Sequence, residues 1–294
     1  MYYRLNTLPI DIPFVKQDFT IDLLYQIISD CYTHCAFSTF PYYYEKISSK
    51  NSIKKYNSGD CVALSYYVHN RLKSYNIVSY LIPASIPKKY QKSGYLHLSH
   101  IALAIPVSSY EIYIIDVSFY FLHPIKINLN DSTRHVIFSK NIYSREFSKN
   151  LKDYNSINII HGYLSQQSND KIFNKYQTIP NNTYKLDCNF SHDINDKWSY
   201  YLIQATNPDK AISNFFLNIK KYPFIVTTEM DDNNICVTKY IVKISDSGLI
   251  IKDLDDKQYQ LNDEMIDFLD KYFNNQTKKI LSDYKYKNPI DIND

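Results

Sequence analysis

The cysteine at position 61 stands where a thiol can act as a nucleophile. Cysteine catalysis needs the thiolate, and a free thiol is mostly protonated at neutral pH. Three devices favour the thiolate: a helix N-terminus, a neighbouring imidazolium, and a carboxylate that holds the imidazole in place. Ser58-Gly59-Asp60-Cys61 precedes a run in which Cys61, Leu64, Val68 and Leu72 lie near one helical face, with Arg71 and Lys73 near its C-terminal end. Cys61 therefore falls in the first turn, where backbone N–H groups and the dipole favour negative charge. His100 opens a strand-like run, and Asp116 lies near the end of the next. Asp116 is the unusual residue, because a carboxylate within Ile-Ile-Asp-Val costs desolvation energy unless something pairs with it. In chain order these three residues read as nucleophile, base and orienter of the base. His97 is the rival base. His100 is preferred because it and Asp116 flank a short hairpin, whose neighbouring strands can bring the two side chains within hydrogen-bond reach.

The elements that must position these residues change period along the chain. In the first third, Ile21, Leu24, Ile27 and Ile28 recur at helical spacing, with Asp18 or Thr20 as cap. Residues 41–58 are polar, rich in Tyr and Lys, and read as a loop before the Cys61 helix. The middle third reads as strands: 78–83, His100–Val107 and Glu111–Val117, the last two joined by the turn Ser108-Ser109-Tyr110. Strand-like pieces follow near 135–139 and 184–190, and 140–180 is irregular. Trp198–Gln204 alternates like a strand, 209–219 is a helix candidate, and 235–244 with 248–254 forms a strand pair around Ser245-Asp246-Ser247. Residues 262–273 are amphipathic, with Met265, Ile266, Leu269 and Phe273 on one side and Asn262 as cap. The tail after Lys278 is expected to be loose. The organisation is thus α+β: residues 1–76 helical with the nucleophile, 77–190 strands with His and Asp, and 191–294 mixed.

Composition narrows the function classes. The chain has 294 residues, 45% of them hydrophobic, enough for a sizeable core. Thirty tyrosines against four glycines point to an AT-rich coding genome, viral or protist, and carry no chemistry. A net charge of +3 with no basic stripe does not fit a protein held by nucleic-acid phosphates. No apolar run of about 18 residues occurs, so a membrane partner is not expected. Met1-Tyr2-Tyr3-Arg4 does not begin a secretory signal, and the triplets at Asn181, Asn189 and Asn275 are not expected to carry glycans. Five scattered cysteines without Cys-x-x-Cys suit reduced thiols in a cytoplasm, the host's if the source is viral. Glycines at 59, 94, 162 and 248 cannot build a phosphate loop. Cys31, His34 and Cys35 share a helical face, but no fourth ligand is near, so packing rather than metal is the reading. Lys88, Lys89 and Lys92 form an exposed basic loop that can also steer an anion.

The pattern Gly59-Asp60-Cys61, His100-Ile-Ala-Leu-Ala-Ile and Tyr113-Ile-Ile-Asp116-Val-Ser-Phe119 resembles the arylamine N-acetyltransferases. Pro124-Ile125-Lys126-Ile127, the segment Trp198–Phe224 and the final helix ending Tyr272-Phe273 extend the resemblance over nearly the whole chain. It is strongest between Gly59 and Phe119. The resemblance implies a helical first domain, a β-barrel second domain and an α/β lid, with a papain-like Cys-His-Asp core. It implies ping-pong transfer of an acetyl group from acetyl-CoA through a Cys61 thioester to an amine. Phe119, Ser118, Phe37 and Ser99 would then meet the acceptor, and Lys220, Lys221 and His97 the CoA. No metal is implied, and the partners are small molecules only. The chain departs from the family at Asn57-Ser58-Gly59-Asp60, where Arg-Gly-Gly is usual, at Ser118, where Gly is usual, at Ala36-Phe37-Ser38-Thr39 in place of Pro-Phe-Glu-Asn, and at Asn218–Tyr222, which replaces a Ser/Thr-rich stretch. A transglutaminase-like or papain-like amidase can use the same three residues, and a binding module without activity can keep the same fold.

Overall fold

The structure, a computed structural model, describes residues 12, 15–45, 47–85, 100–108, 111–118, 124–128, 141–142, 157–160, 164–165, 185–186, 198–202, 204–205, 223–230, 236–245, 247–253 and 255–282. Helices form where apolar periodicity meets a cap. Helix α1 (Ile21–His34) buries Leu24, Ile27, Ile28, Cys31 and Tyr32, and Thr20 rather than Asp18 accepts the Leu23 N–H at its start. Helix α4 (Cys61–Ser74) is capped by Asp60, whose carboxylate accepts the Ala63 N–H at 3.0 Å. Helix α5 (Asp263–Phe273) is capped by Asn262 and ends at Asn274 in the left-handed region, φ 52°.

Residues 41–58 are not a loop. They hold most of α2 (Phe40–Tyr44), all of α3 (Ser49–Tyr56), and the strand β2 (Ser58–Gly59). The buried face of α3 is Ser49, Ser52, Ile53 and Tyr56, so its period does not show as hydrophobicity. The hydroxyls are satisfied inside: Ser52 Oγ donates to the Ser58 carbonyl at 2.6 Å, and Tyr42 OH donates to Ser49 Oγ at 3.0 Å. The described part of the tail, up to Ser282, is helical rather than loose. Helix α6 (Thr277–Ser282) buries Ile280 and Leu281.

Two sheets carry the rest. A six-stranded sheet runs β6 (Ile125–Asn128), β5 (Glu111–Ile115), β4 (His100–Ser108), β3 (Tyr80–Ser85), β11 (Trp198–Tyr201), β8 (Ile157–Ile160). The expected hairpin is present, with Ser108 opposite Glu111. A barrel needs its edge strands to pair with each other, whereas β6 and β8 stand as open edges among the described residues. A seven-stranded sheet runs β15 (Gln258–Tyr259), β14 (Gly248–Lys252), β13 (Cys236–Ser245), β12 (Phe224–Met230), β1 (Ala36–Ser38), β2, with β7 (Asn141–Ile142) also pairing to β13. Strand β12 is one the sequence pattern does not mark. It joins the early strand β1 to the late β13–β14 hairpin. Strands β9 (Leu164–Ser165) and β10 (Lys185–Leu186) pair separately. The strand-like piece at 135–139 and the helix candidate at 209–219 lie outside the described residues.

Two cores follow from this layering. Leu103, Ile105, Ile115 and Val117 of the β4–β5 region pack against Leu24, Ile27, Ile28, Leu64, Val68 and Leu72 of α1 and α4. Ile225, Val242 and Ile251 of the larger sheet pack against Met265, Leu269, Phe273, Ile280 and Leu281, with Phe40 and Tyr56 completing the cluster. Among the described residues no helix is long and apolar enough to cross a membrane.

Candidate active site

The turn before Cys61 is fixed on every side. Phe37 of β1 stands opposite Gly59 of β2 in a parallel pair. A Cβ at position 59 would lie 2.3 Å from the Ala63 Cβ and 2.9 Å from the Tyr42 hydroxyl, so the close approach of α4 and α2 demands glycine. The Asp60 N–H donates to Tyr42 OH at 3.1 Å. Further back, Ser58 Oγ donates to the Tyr272 carbonyl at 3.0 Å and Asn57 Nδ2 to the Lys271 carbonyl at 3.1 Å, tying the turn to α5.

The hairpin brings His100 and Asp116 together by register. Leu103 faces Ile115 across β4 and β5, so the next position along places Asp116 opposite Ala102. His100 is two residues further on the same face, a diagonal neighbour within reach of a long side chain. The His100 Nε2 lies 2.7 Å from Asp116 Oδ2, with the histidine 2% and the aspartate 1% exposed. Tyr200 OH, from β11, donates to the same Oδ2 at 2.9 Å. Burial, and the Asp116 charge after it, push the Tyr200 phenol well up, which keeps it a donor. Among the described residues Asp116 Oδ1 and Ser118 Oγ are buried without a hydrogen-bond partner.

Cys61 is 6% exposed and packs with Val62, Ile101 and Ala205, with Phe37, Tyr66 and Leu81 against the cluster. Burial pushes its thiol well above the ordinary range, and the Asp60 carboxylate adds to this; the Ile101 backbone N–H pulls the other way, Asp116 raises it again, and the Val62 N–H lowers it. Ile101 directly follows His100, so the sulfur lies against the start of β4, the strand that carries the imidazole. Burial and the Asp60 charge thus oppose the helix start here. Forming a thiolate requires a base to take the proton.

Of the other residues the sequence singles out, Phe37 is half-buried and stacks on Phe224, with centroids 5.9 Å apart. Ser118 is buried two residues past Asp116. Phe119, Ser99, His97, Lys220 and Lys221 lie outside the described residues, as do Lys88, Lys89 and Lys92. His34 is exposed with Nδ1 2.8 Å from the Asp30 carbonyl, while Cys31 and Cys35 are buried, so the three do not converge. Sequence reasoning missed Tyr200 and Tyr42. Tyr200 sits in a run expected as a strand, but nothing in the sequence separates it from the other tyrosines.

No family model and no curated protein matches the chain. Among solved structures, the chain is similar to arylamine N-acetyltransferases. The one from Bacillus cereus, described as having a unique Cys-His-Glu catalytic triad, is 14% identical with a TM-score of 0.49, covering 87% of this chain and 91% of that one. The Mycobacterium marinum enzyme in complex with CoA is 12% identical with a TM-score of 0.47, covering 89% of each chain. The M. tuberculosis enzyme is 12% identical with a TM-score of 0.48, covering 93% of this chain and 96% of that one. Similarity at this level gives no residue a role.

Proposed function

We propose that the protein is an acyltransferase that carries an acetyl group on Cys61, taken from acetyl-CoA and passed to an amine. The observation that carries this reading is the buried His100–Asp116 pair, 2.7 Å apart, whose histidine opens the strand against which Cys61 packs. The sequence resemblance between Gly59 and Phe119 supplies the reaction class.

The geometry supports the following roles. Asp116 holds Nε2 of His100, which leaves Nδ1 as the ring atom that acts on the thiol. As Sγ attacks the acetyl carbonyl, His100 takes its proton. When the carbon–sulfur bond to CoA breaks, His100 returns that proton to the leaving thiolate. An amine then attacks the Cys61 thioester, gives a proton to His100, and Cys61 leaves as a thiol. The backbone N–H groups of Val62 and Ile101, which favour the ionised sulfur, are the proposed donors to the oxyanion of each tetrahedral intermediate. Phe37, Ser118, Phe119 and Ser99 are the proposed contacts of an arylamine-like acceptor, and Lys220, Lys221 and His97 those of CoA.

Intact-mass measurement after incubation with acetyl-CoA tests this. Wild type is expected to gain one acetyl group and release CoA, and Cys61→Ala to do neither. No adduct and no CoA release from wild type would sink the proposal. Ammonia release from a carboxamide substrate would then favour the cysteine amidase.

A further inference from the structure

A carboxylate caps the very helix whose first residue is Cys61. Asp60 Oδ1 accepts the Ala63 N–H at 3.0 Å, and the residue is 1% exposed. Capping does not require charge, since asparagine and serine cap as well as aspartate. Placed here, the charge occupies the positive end of the helix, the feature that elsewhere favours a thiolate. It does so one residue from the sulfur, in surroundings of Val62, Ile101 and Ala205 that screen it poorly.

Two carboxylates act on Cys61. Asp60 comes from the cap of α4 itself, and His100 and Asp116 from the β4–β5 hairpin. Tyr42 of α2 accepts the Asp60 N–H, Tyr200 of β11 donates to Asp116, and Phe37 of β1 packs against the Cys61 cluster. The Asp60 and Asp116 carboxylates both push the thiol up, and the His100 imidazole is held by Asp116.

We propose that Asp60 positions the proton of Cys61: its carboxylate keeps the sulfur a neutral thiol at rest, so that the proton moves to His100 only as the acyl group is attacked. This rests on the reading of Cys61 as nucleophile. The raised thiol agrees, with Asp60 second only to burial among its causes. The consequence is a nucleophile sheltered from stray electrophiles and oxidants between turnovers, because the thiolate is the reactive form.

The test is the pH profile of iodoacetamide alkylation, read by mass on the Cys61 peptide of the full chain. Wild type is expected to have its midpoint above the ordinary thiol value of about 8.5. Asp60→Asn should lower that midpoint by about one pH unit, making alkylation at neutral pH roughly tenfold faster. Asp60→Ser, also a capping residue without charge, should do the same, and circular dichroism should show both variants folded. A wild-type midpoint below neutrality, or an unchanged midpoint in both folded variants, overturns the inference. Acetyl-adduct formation in the same samples separates the two ideas. An adduct on wild type with no midpoint shift defeats the role of Asp60 alone; a midpoint shift with no adduct defeats the acyltransferase and leaves the role of Asp60 standing.

Discussion

Cys31 and Cys61 are both buried thiols on helices, and both are held well above the ordinary thiol range, for different reasons. Cys31 lies in the last turn of α1, where the carbonyl end of the helix disfavours negative charge. Its strongest neighbour is another thiol, Cys35, followed by burial and by Asp30. Around it are the aliphatic side chains of the first core. Cys61 is raised chiefly by burial, yet the backbone N–H groups of Ile101 and Val62 pull it down, and the histidine of an imidazole–carboxylate pair opens the strand beside it. Burial alone therefore does not separate Cys31 from Cys61, the proposed nucleophile. The end of the helix each occupies, and the presence of a base with a place for the proton, do.

The sharpest way to break this contrast is to exchange the two cysteines' fates. Cys61→Ala is expected to abolish acetyl transfer, a loss of at least about a thousandfold in rate, with the fold retained by circular dichroism. Cys31→Ala is expected to keep transfer and to lower the denaturation midpoint instead, by the loss of about 1 kcal/mol of packing. Should Cys31→Ala remove the adduct and Cys61→Ala leave it, the assignment of roles is reversed.

Next in size is the base. Asp116→Asn leaves the hairpin in place but presents His100 with the wrong partner, and a fall of roughly 10²–10⁴ in the rate of acetyl-adduct formation is expected. An unchanged rate would remove Asp116 from the mechanism.

Gly59→Ala separates geometry from chemistry. Its Cβ would sit 2.3 Å from that of Ala63, so α4 must shift, at a cost of about 1–3 kcal/mol in urea unfolding. The adduct rate should fall with it, because Cys61 starts that helix.

Tyr200→Phe removes one donor to Asp116 and should cost about 1 kcal/mol of stability and move the acid limb of the rate profile. If only stability changes, Tyr200 is structural.

The smallest effect lies at alkaline pH. Cys31, Cys61, Tyr42 and Tyr200 are all held up in the fold. Their contributions are complete below the unfolded-state values, about 8.5 for thiols and about 10 for phenols, and are lost as pH rises through the folded-state values. The melting temperature should therefore decline from about pH 9 upward. Cys31→Ala should make that decline shallower, and a flat profile in wild type would contradict the burial of these groups.

What could be read from sequence was governed by contrast with local surroundings. Asp116 was legible because a carboxylate among isoleucines needs a partner, and the short connection after Ser108 pointed to His100. The starts of α1, α4 and α5 were legible because a cap precedes an apolar period. Helix α3 was hidden because serine and tyrosine fill its buried face, and only their hydroxyl partners, made by folding, make that face tolerable. Strand β12 was missed although four of its residues are buried, two of them threonines; Thr227 Oγ1 accepts the Tyr240 N–H and Thr228 Oγ1 donates to the Tyr32 carbonyl. Tyr200 reaches Asp116 from 84 residues away, a distance that no local pattern reports.

The hydrogen bonds from Asn57 and Ser58 to the carbonyls of Lys271 and Tyr272 also bear on how the protein is made. They span 214 residues of chain, and β1 beside the nucleophile turn pairs with β12. During synthesis on the ribosome, Cys61 therefore emerges roughly two hundred residues ahead of the braces that hold its turn. The nascent chain carries the thiol without its mature setting over that interval, and the turn is braced only when α5 docks.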